Sequence, residues 1–124
     1  MSGRRRARRF GGWAETAAEI RLRLAGWGIL ARRLTAGRGT GAGEIDIVAR
    51  RGDVVAFVEV KFRPSLAEAA AAISSRQQGR IERAARHFLA AHPHLAGLTL
   101  RFDAVLVAPW RLPRHLPNAW MSER

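Results

Sequence analysis

The chain has 124 residues, 48% of them apolar, which suffices for one folded domain and not for two; no apolar run is long enough to span a membrane. It contains no cysteine, which excludes disulfides and Cys-ligated zinc or iron–sulfur centres and fits a reducing, cytoplasmic compartment. The formal net charge of +12 points to a polyanion partner, nucleic acid before membrane; a GC-rich genome would explain arginine over lysine but not the net charge.

Residues 1–10, MSGRRRARRF, carry five arginines and no acid. Lacking an apolar core, this is no secretory signal. It reads as a flexible basic arm able to lie along a phosphate backbone, or as a tail that touches nothing. From Gly12 to Ala25 the apolar residues recur at helical spacing, and Trp13, Ala17, Ile20 and Leu24 are the expected buried stripe. Glu15 and Glu19 fall on another face, Glu19 spaced to pair with Arg23, and Gly26 and Gly28 end the helix. Trp27–Leu34 predicts a strand. The glycine-rich Thr35–Gly43 lacks Gly-Lys-Ser/Thr and leads into a strand, so it reads as a hairpin loop rather than a phosphate loop. Arg38, at its tip, is placed to meet backbone phosphates.

Gly43–Arg63, GEIDIVARRGDVVAFVEVKFR, predicts two strands, Glu44–Ala49 and Val54–Phe62, joined by a turn drawn from Arg50-Arg51-Gly52-Asp53. Charge sits inside these apolar strands at Asp46, Glu59 and Lys61. Side chains alternate along a strand, so Glu59 and Lys61 share a face. A two-residue turn at Arg51-Gly52, or a four-residue one from Arg50 to Asp53, pairs Asp46 with Phe57. Asp46 then lies diagonal to Glu59 on that face; a three-residue loop would flip one strand. Two carboxylates so close repel unless a positive charge lies between them. Two readings stay open. In one, Lys61 neutralises the pair within a salt-bridge cluster. In the other, Asp46, Glu59 and the Val60 carbonyl hold a divalent cation, since hard cations such as Mg²⁺ take oxygen ligands, and Lys61 stands beside the water. Lys61 is the sole lysine among 22 basic residues, and lysine offers a compact, tunable charge where arginine offers a fork.

Pro64 breaks the strand, and Ser65-Leu66-Ala67-Glu68 is a capping box opening an alanine-rich helix over 66–73. Ser74-Ser75 lead into a longer helix, Arg76–Ala91, with Ile81, Ala85, Phe88 and Leu89 inward. Arg76, Arg80, Arg83 and His87 form one stripe at i, i+4, i+7 and i+11, either a solvated face or a track for phosphates, and the net charge favours the track. Arg63 is a further candidate phosphate contact. Leu98–Val107 is the last strand, with Arg101 and Asp103 on one face and Leu100, Phe102 and Ala104 on the other. Prolines at 109, 113 and 117 exclude a long helix after it. The elements run α-β-β-β-α-β, a mixed sheet with helices on both faces.

Asp46, then twelve residues, then Glu59-Val60-Lys61 resembles the D…ExK signature of the PD-(D/E)XK nuclease superfamily. Gly43–Arg63, Gly12-Trp13-Ala14-Glu15, Gln78 within SSRQQGRIERAARHFL, Arg101-Phe102-Asp103 and His115-Leu116-Pro117-Asn118-Ala119-Trp120 are together similar to the YraN family of predicted bacterial endonucleases. That family is described as Holliday-junction-resolvase-like, and the similarity covers about residues 10–120. The resemblance implies a restriction-endonuclease-like α/β fold over 11–124 and an Mg²⁺- or Mn²⁺-dependent nuclease. It implies Asp46, Glu59 and Val60 as metal ligands, Lys61 as catalytic, Glu15 as an extra ligand or water organiser, and Gln78 as an active-site orienter. It also implies a structural Arg101-Phe102-Asp103 and a Trp120 that packs back on the body. Two departures from the family pattern stand out: Gln77 where a lysine is usual, and a longer, more glycine-rich loop at 35–43.

The expected function is metal-assisted hydrolysis of phosphodiester bonds, in DNA rather than RNA, by a cytoplasmic protein with no membrane partner. A homodimer would suit the cutting of two strands. The alternatives are a non-catalytic nucleic-acid-binding module on the same fold and a structural partner that docks an acidic protein.

Overall fold

The computed structural model describes residues 2–35 and 43–120, with side chains from Gly12 onward. Helix α1 (Ser2–Leu24) leads to strands β1 (Gly28–Thr35), β2 (Glu44–Arg51) and β3 (Val54–Phe62). Helices α2 (Leu66–Ala71) and α3 (Ser75–Ala91) and a 3₁₀ turn at Pro93–Leu95 follow, then strands β4 (Thr99–Val107) and β5 (Arg114–Trp120). The strands form one sheet in the order β1-β2-β3-β4-β5. The β3–β4 pair is parallel and the other three pairs are antiparallel. The expected mixed α/β order is thus extended by a fifth strand. Prolines 113 and 117 had argued only against helix, but an edge strand tolerates proline because one row of its N–H groups has no ladder to serve. Trp120 is buried and stacks on Phe102 at 5.4 Å.

Helix α1 covers one face of the sheet, where Ala14, Ala18 and Leu22 pack against Trp27, Ile47, Val58 and Val105. Helix α3 covers the other, with Ile81, Ala85 and Phe88 meeting Ile45, Val48, Phe57 and Phe102. Helix α2 lies beside it, Ala69 against Ala104 and Leu106 of β4. The inward face of α3 is the one its periodicity predicts. That of α1 is not: Trp13, Ile20 and Leu24 are 58%, 54% and 83% exposed. The helix has two apolar stripes one residue out of step, and the alanine stripe goes inside because short side chains let the helix lie close on the sheet. The backbone of residues 2–10, expected as a basic arm, runs helically into α1.

The helix ends where glycine was expected to end it. Gly26 has φ 94°, its N–H reaches the Arg23 carbonyl at 3.0 Å, and the Trp27 N–H reaches the Leu22 carbonyl at 3.1 Å. This is a Schellman closure, which needs a left-handed residue at Gly26. At the start of α2 the serine cap forms as read, Ser65 Oγ accepting from the Glu68 N–H at 3.1 Å, while the Glu68 carboxylate returns to the Ser65 hydroxyl at 2.9 Å where a capping box would use the Ser65 backbone N–H.

The β2–β3 turn falls at Gly52-Asp53, one residue later than expected. Arg51 pairs with Val54, and Gly52 has φ 61° while Asp53 is not left-handed. Positive φ at the first central position alone is the type II′ pattern, which wants glycine there. The later turn moves the register by two, so Phe57 pairs with Val48 rather than Asp46. A two-residue shift preserves the faces of the paired residues Ile47–Arg51.

Candidate active site

The β2–β3 ladder runs from Arg51↔Val54 to Ile47↔Val58. One step further, the same register sets Asp46 level with Glu59 instead of diagonal to it. There Asp46 Oδ2 accepts the Val60 N–H at 2.7 Å, so a side chain takes the place of a backbone acceptor where the strands part. On the other side of β2, Arg32 pairs with Ile47 and Leu34 with Ile45, and Arg33, between them, has φ 49°. Ile45 and Val48, three apart, both face α3, while Ile47 faces α1. Strict alternation would put them on opposite faces. This break in alternation leaves Asp46 on the α1 side, in a cleft of about 230 Å³ lined also by Gly12, Glu15, Thr16, Glu19, Arg32 and Arg33.

Glu59 is 4% exposed. Burial raises its pKa, and the adjoining Asp46 carboxylate raises it further by hydrogen bonding and by charge. Lys61 pulls the other way without reversing the result, about 10. Burial and the neighbouring acid thus both favour the protonated form of Glu59. Among the described residues its Oε2 is buried with no hydrogen-bond partner, an arrangement that costs free energy wherever it serves nothing. A divalent cation fits this pair: it would offset the charge of the two carboxylates and give Oε2 a partner. No three His, Cys, Asp or Glu side chains converge among the described residues, so the acidic donor set here is a pair, and Mg²⁺ often uses only one or two carboxylates with water and substrate phosphate completing the shell.

Glu15 lies across the cleft. Its carboxyl is raised above the ordinary value, first by burial and then by the charge of Asp46, against the pull of Arg33, whose Nε donates to Oε1 at 2.9 Å. Gly12 leaves room for that guanidinium, since a Cβ there would stand 3.2 Å from Arg33 Nη2. Glu19 belongs to a different pairing. Arg32 and Arg23 grip it, the Arg32 bond first, and hold it at about 2. Arg32 and Arg33 were assigned no role from the sequence, where they read as two more charges in a strand. The signal was a doubled arginine at the end of a strand that abuts the acidic hairpin.

Of the remaining predicted residues, Val60 meets Asp46 through its N–H. Gln78 is half-buried in the first turn of α3. That helix docks at the start of β2: the Gly43 N–H reaches the Arg80 carbonyl at 3.0 Å, and a Cβ on Gly43 would stand 3.0 Å from that of Arg80. Arg80 is thus three residues from Asp46 by way of Gly43. Arg76, Arg83 and His87 are also exposed on α3, and Arg83 and His87 border a shallow groove of about 330 Å³ with Arg86. Arg63 is exposed just past β3. Arg38 lies outside the described residues.

A second buried carboxylate shows the opposite treatment. Asp103 in β4 is fully buried. Arg101 donates to it twice, at 2.8 and 2.9 Å, His115 Nε2 lies 2.7 Å away, and the Asn118 N–H donates at 2.9 Å. Burial alone would raise its pKa, but the His115, Arg101 and Asn118 hydrogen bonds outweigh it and hold the acid at about 2.

The architecture and this cleft define an α/β domain built on a five-stranded mixed sheet, with an acid pair where two central strands separate. The profile of the uncharacterised protein family UPF0102 matches residues 14–107, and the chain belongs to that family, the YraN family. It is 60% identical to a UPF0102 protein of Paramagnetospirillum magneticum, over 92% of this chain and 88% of the relative. It is 54% identical to UPF0102 proteins of Parvibaculum lavamentivorans, over 92% and 83%, and of Methylorubrum extorquens, over 89% and 83%. No helix among the described residues is long and apolar enough to cross a membrane.

Proposed function

We infer that this protein is a metal-dependent endonuclease that hydrolyses phosphodiester bonds in DNA, on a restriction-endonuclease-like fold. The observation that carries the reading is Glu59: a buried acid with an orphaned oxygen, set against a second acid at the mouth of an arginine-lined cleft. Asp46 and Glu59 would hold Mg²⁺ or Mn²⁺, and the Val60 carbonyl would be a further oxygen donor. Bound there, the ion would polarise the scissile phosphate and lower the pKa of a water.

The chain's own residues supply the rest. Lys61, on the Glu59 face, orients the attacking water or stabilises the charge that develops on the phosphate. Glu15 keeps Arg33 turned toward the cleft, where its guanidinium suits a phosphate oxygen. Gln78 and Arg80, on α3, would orient and neutralise the phosphate backbone of a bound strand. The net charge of +12 draws the polyanion in.

The test is Mn²⁺ titration together with single-turnover cleavage of duplex, flap, junction and single-stranded DNA. Lys61→Arg should bind metal and DNA nearly as wild type does but cleave roughly 10²–10³ times more slowly, because arginine is too long and too weak an acid to replace a positioned ammonium. Asp46→Asn should lose metal binding. A wild-type protein that cleaves none of these with either ion would be a nucleic-acid-binding module on the same fold.

A further inference from the structure

The chain leaves β4 through a turn that makes poor sense as architecture. Arg111 N–H reaches the Ala108 carbonyl at 3.3 Å, closing a turn with Pro109 and Trp110 at its centre. Trp110 has φ 61°. Proline first and positive φ second is the type II pattern, in which the second position belongs to glycine. A bulky aromatic side chain there is a true outlier. Nor does burial compensate, since Trp110 is 101% exposed and Leu112 is 88% exposed. The fold alone would be better served by glycine, and a strained residue that buries nothing points to use outside the fold.

Position says what that use is. Strands β3 and β4 are parallel, with Lys61 beside Leu106 and Phe62 beside Val107, and the Arg63 N–H reaches the Val107 carbonyl at 3.1 Å. The turn therefore starts at the end of the sheet to which Glu59 and Lys61 belong, Glu59 being three residues, or roughly 10 Å, back along β3. Pro109 and Pro113 stiffen both sides of the loop. Arg63, Arg111 and Arg114 are exposed around it, and residues 108–117 contain no acid. An exposed indole and a leucine among arginines suit a polyanion that also offers flat apolar faces. A nucleic acid with unpaired bases does so; an intact duplex hides those faces in its stack.

We propose that Trp110, with Leu112 beside it, is a stacking platform for an unpaired base, and that it biases the protein toward DNA carrying single-stranded nucleotides next to the bond to be cut. The inference rests on the nuclease reading only for that last clause; the stacking itself needs no metal. Arg63 and Arg111 hold the flanking phosphates while the indole takes the base. Trp110 acts on binding and position, not on the reacting atoms.

The experiment is done in EDTA with the full chain. Affinities are measured for a blunt duplex and for the same duplex carrying a single-stranded gap with 2-aminopurine in the gap. Trp110→Gly should keep or raise the thermal midpoint, since glycine suits the turn, and should bind the blunt duplex as wild type does. Its affinity for the gapped DNA should fall by about 5- to 150-fold, the range that loss of one aromatic stack produces. The 2-aminopurine quenching seen with wild type should be lost, and Trp110→Phe should restore most of both effects. Unchanged gapped affinity, or an equal loss on blunt duplex, overturns the proposal. A protein that shows this discrimination but never cleaves keeps the stacking platform and loses the nuclease; one that cleaves while ignoring Trp110 does the reverse.

Discussion

Two carboxylates sit in neighbouring strands of this sheet, and the fold treats them in opposite ways. Asp103 receives two bonds from Arg101, one from His115 and one from a backbone N–H, and is held at about 2. Glu59, as deeply placed, has an oxygen with no partner, a second acid beside it and a pKa of about 10. The sequence has the means to satisfy a buried acid and uses them at β4. At β3 it withholds them, a contrast that the proposed metal site would account for.

The comparison breaks most sharply at Asp103. Asp103→Ala would strand Arg101 and unhook β5, and should lower unfolding stability in urea by about 3–5 kcal/mol, the usual cost of removing one member of a buried ionic network. Next in size is metal linkage. At a hundredfold excess over Kd, Mn²⁺ should stabilise the wild type by about 2.7 kcal/mol, and Glu59→Gln and Asp46→Asn should abolish that gain. Denaturation with and without Mn²⁺ reads it directly; equal shifts in wild type and Glu59→Gln would remove Glu59 from the metal site.

The two acids also give stability opposite slopes with pH. The folded pKa of Asp103 lies below its ordinary 3.8, so its contribution is present above that value and is lost as pH falls toward about 2. The folded pKa of Glu59 lies above its ordinary 4.5, so the folded state holds the extra proton and metal-free stability should decline as pH rises from about 4.5 toward about 10. Glu59→Gln should flatten the alkaline decline and leave the acid limb in place. The smallest effect is Glu59→Gln at neutral pH without metal. Because burial favours the protonated form of Glu59, the amide should change stability by less than about 1 kcal/mol, and a loss as large as that of Asp103→Ala would mean the two acids are both structural.

Much of this was legible in the chain. The charges inside the hairpin strands, the serine cap at Ser65, the glycine stop at Gly26 and the inward face of α3 follow from local rules that packing leaves intact. What failed was whatever depended on a choice between near-equal alternatives. Two glycine-containing turns differ by one residue, and only the backbone angle of Gly52 selects the later one. Two apolar stripes on α1 differ by one residue, and only the approach of the sheet favours Ala14 and Ala18 over Trp13 and Ile20. The break in alternation at Asp46, opposite the left-handed Arg33, was invisible because no local signal announces a residue that changes face. Asp103 was placed on the correct face, but its partners His115 and Asn118 come from a strand whose prolines concealed it.

That last strand has a consequence for how the chain comes into being. Synthesis delivers β5 after every other described element, and a chain folding as it emerges assembles its earlier parts first. Until Arg114–Trp120 arrives, β4 presents an open edge, Phe102 lacks its indole cover, and Asp103 must make do with Arg101. An open edge backed by an apolar face is what other chains pair with. The closing strand thus works as a seal applied last: a chain interrupted before residue 114 would hold nearly all of the cleft yet remain adhesive, marked for capture by chaperones or proteases before it could act.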